Sequence, residues 1–242
     1  MTQFNFIRYR SNGGELVFIA NDNRNNGSTR NYIYHTLKEQ IITLTLEPGT
    51  KISEKEVAEQ LKVSRTPVRE SFLQLSQEEL LEIYPQRGTF VSRIDLSHVE
   101  ESRFVRENIE KVIVKLACDK LTDDDLFQLQ TNIAMQESCE KKDNHEKLFE
   151  LDDDFHKILF TACGKNRTWN MLQLMSSHFK RLRLLRLSSY LDWSIIISQH
   201  KQIFELIKKN EPEKAEEVMK EHLRLVVFEK ELLKERYPTY FK

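Results

Sequence analysis

Four residues in the second half of this 242-residue chain have the types and spacing of a metal-binding set. In the run LDDDFHKILF, Asp152 and His156 are four apart, so on a helix both side chains lean over one face. His200 lies 10 residues before Asn210 and His222 lies 12 after it. If the helices flanking Asn210-Glu211-Pro212 pair as a hairpin, both imidazoles sit roughly 15 Å from the turn, at about 1.5 Å of rise per residue. His200 shares a face with Ile203 and Ile207, and His222 with Val218, Leu225 and Val226, so both point toward a helical core. One inward histidine reads most simply as a core residue held by a hydrogen bond. Three of them with an i,i+4 carboxylate read instead as ligands for a borderline divalent ion, Zn²⁺, Ni²⁺ or Mn²⁺, with one or two positions open. Asp153 and Asp154 point elsewhere and read as solvated, with one of them available as outer support.

A second chemistry belongs to the first half. Arg65 and Arg69 are four apart at the start of a helix, where guanidinium forks could reach guanine O6/N7 or phosphate. Ser64 and Thr66 offer hydroxyls and helix N-terminal N–H groups to phosphates. Lys55 on the preceding helix and Arg87 in a tight turn could clamp the flanking backbone or minor groove. For Arg87 taken alone, an ordinary solvated charge is an equal reading.

The elements that must carry these residues can be read from periodicity and caps. Ile33, Leu37, Ile41 and Ile42 share a face of a helix over Tyr32–Thr45, which Glu47-Pro48-Gly49-Thr50 ends in a turn. Ser53, with Glu56 three residues on, opens a helix over Glu54–Leu61. Ser64 is the N-cap of another that runs to about Gln77, with Pro67 in its first turn. Leu80–Ile83, Pro85-Gln86-Arg87-Gly88 and Thr89–Arg93 read as strand, turn and strand. Two short helices and a hairpin outline a winged helix-turn-helix. Beyond it, helices run from Ser97 to about Lys120, from Thr122, from Asn144 to Cys163, and from Arg167 to Leu187. After a Ser188–Ser194 link, two more flank Asn210, the last reaching about Glu235. Six or seven antiparallel helices on short loops make a bundle. The cationic stripe Lys180, Arg181, Arg183, Arg186 alternates with Leu and reads first as helix surface, with pocket or DNA-facing roles as the alternative.

Composition agrees with a mainly α chain. Only 6 Gly and 5 Pro argue against a turn-dense β fold. Lys and Arg number 37 against 38 Asp and Glu, so any DNA-binding surface must be local rather than a matter of net charge. Three cysteines without C-x-x-C spacing speak against a disulfide framework or zinc ribbon and fit a reducing cytoplasm. No run approaches the length of a membrane span, so no membrane role is expected. Residues 1–28 carry the polar run NDNRNNGS and read as a disordered extension, or as sequence ahead of the native start. The domains expected are therefore 1–28 as an extension, 29–95 as a winged helix-turn-helix, and 96–242 as a helical effector and dimerisation domain.

The run EKEVAEQLKVSRTPVRESFLQL followed by LLEIYPQRGTFVSRI resembles the DNA-binding domain of GntR-family bacterial transcription regulators. The likeness spans about residues 30–95. Two departures stand out: Leu44 and Glu79 occupy positions where that family usually has Gly. By similarity, Lys55, Arg65, Arg69 and the Gln86-Arg87-Gly88 tip are the expected DNA contacts. FVRENIEKVIVKLA, D-x-x-F-H, the His200 helix and M-K-E-H-L resemble the FCD effector domain of the FadR subfamily, over about residues 97–235. That resemblance implies a metal on Asp152, His156, His200 and His222, with Arg106 holding a small carboxylate effector. It implies a ligand-responsive homodimeric regulator, more often a repressor, on a palindromic operator. A metal-dependent enzyme using the Asp/His₃ set, or a regulator with a non-metal acyl-CoA-type effector, are the alternatives.

Overall fold

The computed structural model describes residues 28–187, 193–228 and 230–242. The N-terminal extension up to residue 27, and most of the Ser188–Ser194 link, lie outside these. The chain divides into two compact units, one of Met1–Leu96 with Lys234–Lys242 and one of Ser97–Leu233.

The first unit packs three helices, α1 (Thr29–Ile42), α2 (Glu54–Leu61) and α3 (Arg65–Gln77), against a small sheet. Ile33, Leu37 and Ile41 of α1 are fully buried against Val68, Phe72 and Leu75 of α3 and Val57 and Leu61 of α2. Ser53 accepts from the Glu56 backbone N–H at 3.2 Å and so starts α2. Ser64 stands at the N-cap of α3 with no capping bond from its side chain. The wing hairpin pairs β2 (Leu81–Tyr84) with β3 (Gly88–Val91) in the register Leu81↔Val91 and Tyr84↔Gly88. A third strand, β1 (Lys51–Ile52), pairs with the other edge of β3 and gives the order β1-β3-β2. Two residues carry too little periodicity for that strand to be read from sequence.

The same helix ending recurs across the chain. At Lys62, Glu79, Gly164 and Asn210 the backbone turns left-handed, with φ of 53°, 58°, 68° and 52°. In each case the next residue's N–H reaches back five positions: Val63 to Ala58, Leu80 to Leu75, Lys165 to Phe160, Glu211 to Leu206. These are Schellman caps, where glycine is favoured because it has no Cβ to clash. Leu44 (φ 59°) is a further left-handed residue, just past α1. The two departures from the GntR pattern, Leu44 and Glu79, are thus positions whose backbone asks for glycine.

The second unit is a helical bundle of α4 (Leu96–Lys120), α5 (Asp123–Glu140), α6 (His145–Ala162), α7 (Asn166–Met175), α8 (Ser177–Leu187), α9 (Trp193–Lys208) and α10 (Pro212–Phe228). Its core gathers Val114, Leu129, Phe155, Leu159, Ile203 and Met219. The single helix expected over Arg167–Leu187 is broken at Ser176. There the Ser176 hydroxyl bonds back to the Leu172 carbonyl at 2.6 Å, and Ser102 of α4 donates to the Met175 carbonyl at 2.5 Å. Side-chain hydroxyls thus meet carbonyls where the ladder stops. α4 begins at Leu96, so Ser97 lies within its first turn rather than capping it.

The end of the chain departs from the 96–242 boundary read from sequence. After α11 (Lys230–Arg236), the tail joins the first unit. Ile94 and Phe241 form a parallel bridge, the Ile94 N–H donates to Tyr240 O at 2.7 Å, and Lys242 N–H to Ile94 O at 3.1 Å. Phe241 is buried, and Lys242 Nζ pairs with Glu82 at 3.3 Å and Asp95 at 3.6 Å.

Lys62 is exposed, so replacing it loses little side-chain contact. Lys62→Gly should stabilise the protein by about 0.5–1 kcal/mol, since a left-handed non-glycine residue carries roughly that strain. A raised urea midpoint is the expected result; an unchanged or lowered one removes strain as the reason glycine recurs there.

Candidate metal centre and nucleic-acid interface

The α9–α10 hairpin brings His200 and His222 side by side, with ring centroids 4.7 Å apart. α6 lies beside them and presents Asp152 and His156 from successive turns. One ligand atom from each of these four buried residues lies within 4.8 Å of the others. His156 Nε2 is 3.1 Å from His222 Nε2 and 3.9 Å from Asp152 Oδ2, and His200 Nε2 is 3.8 Å from Asp152 Oδ1. All four residues singled out in the sequence are therefore brought together.

Each imidazole is anchored on its far side. His200 Nδ1 bonds Gln136 Oε1 at 2.9 Å, His222 Nδ1 bonds Gln199 Oε1 at 3.1 Å, and His156 Nδ1 lies 2.5 Å from Glu110 Oε2. The glutamine at 136 is itself oriented, because its Nε2 donates to Asn132 Oδ1. Amide oxygen acceptors at Nδ1 of His200 and His222 assign the proton there and leave their Nε2 lone pairs facing inward. At His156 the Glu110 carboxylate lies against Nδ1 out of hydrogen-bond alignment and favours the same tautomer electrostatically. The Phe155 ring stacks on His200 at 4.0 Å and fixes its plane. His200 Nε2 is buried without a hydrogen-bond partner. Three lone pairs and a carboxylate converging without a donor among them fit a divalent cation with nitrogen and oxygen ligands.

Electrostatics support neutral ligands. Burial pushes His200 down to about 3, against a smaller opposing pull from Asp152. Burial, then the neighbouring His200 and His156, holds His222 well below the ordinary range. For Glu110, burial alone would raise the carboxyl, but Arg106 and His156 outweigh it and bring it to about 2.

Beside the cluster lies a small pocket, walled by Phe179, Ile196 and Leu223 and lined by Arg106, Arg183 and faces of Asp152, His156 and His222. Arg106 is buried, its Nε donates to Glu110 Oε1 at 2.6 Å, and its Nη2 is buried with no hydrogen-bond partner. Arg183 donates to Asp152, and its Nη1 to Asp153 at 2.9 Å. The cationic stripe is therefore not helix surface: Arg181, Arg183 and Arg186 are buried, and Arg183 lines the pocket. Asp153 is not solvated either, since Lys180 at 2.5 Å and Arg183 hold it and lower its carboxyl against the effect of burial. Glu110, Gln136 and Gln199 escaped the sequence reading. Glu110 carries one usable signal, its i,i+4 spacing from Arg106; the two glutamines carry none.

In the first unit, Ser64, Arg65, Thr66 and Arg69 are all exposed at the start of α3. Lys55 on α2 is exposed and sits 3.8 Å from Glu59. At the wing tip, Arg87 N–H closes a turn onto Tyr84 O at 3.2 Å, with Pro85 leading and Gln86 left-handed at φ 61°. Arg87 lies over the Tyr84 ring at 5.6 Å. Gly88 is needed there because its φ is 115°; a Cβ would meet only the flexible end of Lys51, which can move aside.

Comparison with known proteins agrees with both halves. Residues 29–91 match the family of bacterial regulatory proteins called gntR, and residues 101–225 match the FCD domain. The HTH-type transcriptional repressor RspR of Escherichia coli (strain K12) is 31% identical over 192 residues, covering 79% of this chain and 84% of that one. An HTH-type transcriptional regulator in an unstable DNA locus of Streptomyces ambofaciens is 34% identical over 218 residues, 89% of this chain and 91% of its own. Among solved structures, E. coli McbR/YncC shares the fold with a TM-score of 0.73 at 21% identity, covering 87% of this chain and 99% of that one. The chain belongs to the GntR family, with an FCD domain as its second unit, and is a DNA-binding transcriptional regulator rather than an enzyme. Among the described residues, no helix is long and apolar enough to cross a membrane.

The histidine shifts set a pH dependence for the metal-free protein. Below pH 6.5 the unfolded chain protonates imidazoles that the folded core keeps neutral, so stability falls with pH, for His200 down to about pH 3. Each such group costs roughly a factor of ten in the folding equilibrium per pH unit. Glu110 adds a second loss, beginning below its unfolded value near 4.5 and complete as pH falls through about 2. Urea midpoints measured in chelator should drop steadily from pH 7 to 5, and less steeply in His200→Phe. A flat profile would contradict neutral burial.

Proposed function

We propose that this regulator binds a palindromic operator as a homodimer, most simply as a repressor. In this reading its DNA affinity is set by a small carboxylate held beside a metal on Asp152, His156, His200 and His222. The observation that carries it is the set of inward imidazole lone pairs beside a pocket containing a buried, unpartnered arginine N–H. Zn²⁺, Ni²⁺ or Mn²⁺ would supply a Lewis-acidic face for one carboxylate oxygen. The chain's own residues do the rest. Arg106 Nη2 offers a donor to the effector, while Phe179, Ile196 and Leu223 limit water and size. An acyl-CoA-type effector would leave the converging imidazoles without a role, and it needs more room than this pocket offers.

In this reading the winged domain binds DNA and the helical domain holds effector and metal and dimerises, with the tail grouped with the winged unit. Two relatives support the regulatory reading: RspR is named a repressor, and the Aminobacter aminovorans relative is the Nta operon transcriptional regulator. A dimer is supported by α4, whose outer face exposes Phe104 (64%) and Val112 (56%) two turns apart. Two exposed apolar side chains on either side of the exposed Asn108 suit the mixed surface of a two-fold contact with a second copy. Two recognition helices related by that axis would read symmetric half-sites. On the DNA, Arg65 and Arg69 read bases. Lys55, Ser64, Thr66 and the Gln86-Arg87-Gly88 tip hold the backbone or minor groove, in keeping with their exposure. A bacterial regulator of this kind works in the cytoplasm.

Arg65→Ala and Arg69→Ala should each weaken operator binding by about 1–3 kcal/mol. Lys55→Ala should weaken specific and nonspecific DNA alike and flatten the salt slope. Gel shifts with the promoter region of its own gene, across a salt series, distinguish these outcomes. Operator binding like wild type in both arginine variants overturns the recognition-helix assignment.

Protein purified without chelator or histidine tag should carry one divalent metal per subunit by elemental analysis. EDTA should lower its melting temperature through ligand linkage. Alanine at His156, His200 or His222 should lose most of the metal, whereas His35→Ala, on exposed α1 surface, should retain it. Full stability in EDTA with no bound metal sinks the metal reading.

A further inference from the structure

Glu110 is not among the metal-binding set, yet it touches both that set and the pocket arginine. It is buried on α4, one turn after Arg106. Its Oε1 accepts from Arg106 Nε at 2.6 Å, and its Oε2 lies 2.5 Å from His156 Nδ1. The contact is a close electrostatic one, off the line of a hydrogen bond. A carboxylate against Nδ1 favours the proton there and leaves Nε2 as the donor atom facing Asp152 and His222. The other oxygen, by engaging Nε, orients the guanidinium with its buried Nη2 still without a partner. His200 and His222 are anchored differently, by the neutral amides of Gln136 and Gln199. Among the three histidines, only His156 has a charged group at Nδ1.

We propose that Glu110 is a positioning residue that couples Arg106 to the metal set, making the state of the arginine and the affinity for metal interdependent. This rests on the metal-and-carboxylate reading above. One carboxylate shares its charge between a guanidinium and an imidazole. When an incoming carboxylate draws on Arg106, more of the Glu110 charge acts on His156, and His156 becomes a stronger donor. By reciprocity, metal on His156 strengthens the hold of Arg106 on the effector.

The test measures Zn²⁺ affinity by competition with a chromophoric chelator in the wild type, Arg106→Ala, Glu110→Gln and the double variant. Glu110→Gln should weaken Zn²⁺ about 10–100-fold, as loss of an outer carboxylate partner does. Arg106→Ala should tighten Zn²⁺ about fivefold or more, though Arg106 touches no ligand atom, and that gain should vanish in the Glu110→Gln background. Should Glu110→Gln fail to fold, Arg106→Lys decides. It keeps the charge beside Glu110 and should leave Zn²⁺ affinity nearer the wild type than alanine does. An alanine effect of equal size in both backgrounds, or lysine behaving like alanine, overturns the coupling. A wild-type chain that binds no Zn²⁺ overturns the metal reading itself, and the coupling with it.

Discussion

Four buried polar side chains meet inside the bundle, and they bring no hydrogen-bond donor to their common centre. A buried polar group without a partner costs more than most packing defects. Here the cost is limited by supplying oxygens on the outer side of each ring: Glu110 from α4, Gln136 from α5 and Gln199 from α9. The two amide acceptors fix the tautomers of His200 and His222, the Glu110 carboxylate favours the same one at His156, and each such tautomer turns a lone pair inward. The bundle is therefore organised around an electron-rich point that a cation can satisfy and a proton satisfies poorly, since burial keeps His200 and His222 neutral. The α9–α10 hairpin, the position of α6 beside it and the course of α4 behind it all answer to this requirement.

The pocket follows from the same arrangement. Arg106 and Arg183 can be buried beside the cluster because each is paired with a carboxylate, Glu110 for one, Asp152 and Asp153 for the other. Taking an arginine out of water without such a partner would be prohibitive. The pairing is incomplete at Arg106, whose Nη2 has no hydrogen-bond partner among the described residues. On the proposed reading, an effector carboxylate completes it. The histidine cluster and the pocket are thus two sides of one charge arrangement, in which carboxylates neutralise arginines on one side and lie against imidazoles on the other.

How much of this could be read from the sequence depended on whether a residue's partner was close along the chain. Asp152 and His156 declare themselves by i,i+4 spacing, and His200 and His222 by similar distances, 10 and 12 residues, from the turn at Asn210. Ser53 capping α2 and the Pro85–Gly88 turn are local relations, like Asp152 with His156. Gln136 and Gln199 are invisible by the same rule, because an interior glutamine has no spacing to announce a partner 64 or 23 residues away. The cationic stripe on α8 misled for a related reason. Charged residues alternating with leucine look like a solvated face, and only the carboxylates of α6 and α4 reveal that part of it is interior. The break at Ser176 needed Ser102, 73 residues upstream of the Met175 carbonyl it binds, to be foreseen.

In the first unit the balance is reversed: nearly all of its chemistry is local and exposed. Arg65, Arg69, Lys55 and Arg87 need no buried partners, because their counter-ions are expected on the nucleic acid, not in the protein. Net charge near zero is compatible with this, since a DNA-binding surface depends on where a few cations are placed and not on the sum over the chain. What the unit does demand of its sequence is backbone geometry. Gly88 meets it at the wing, where the chain runs at positive φ. Leu44, Lys62 and Glu79 meet it at helix ends with side chains that carry strain. The winged unit therefore holds its reading surface on a scaffold with several left-handed joints that lack glycine. The tail residues Tyr240–Lys242, bonded along Ile94 and paired to Glu82 of β2, add hydrogen bonds, a buried phenyl ring and two ion pairs to that scaffold from the far end of the chain.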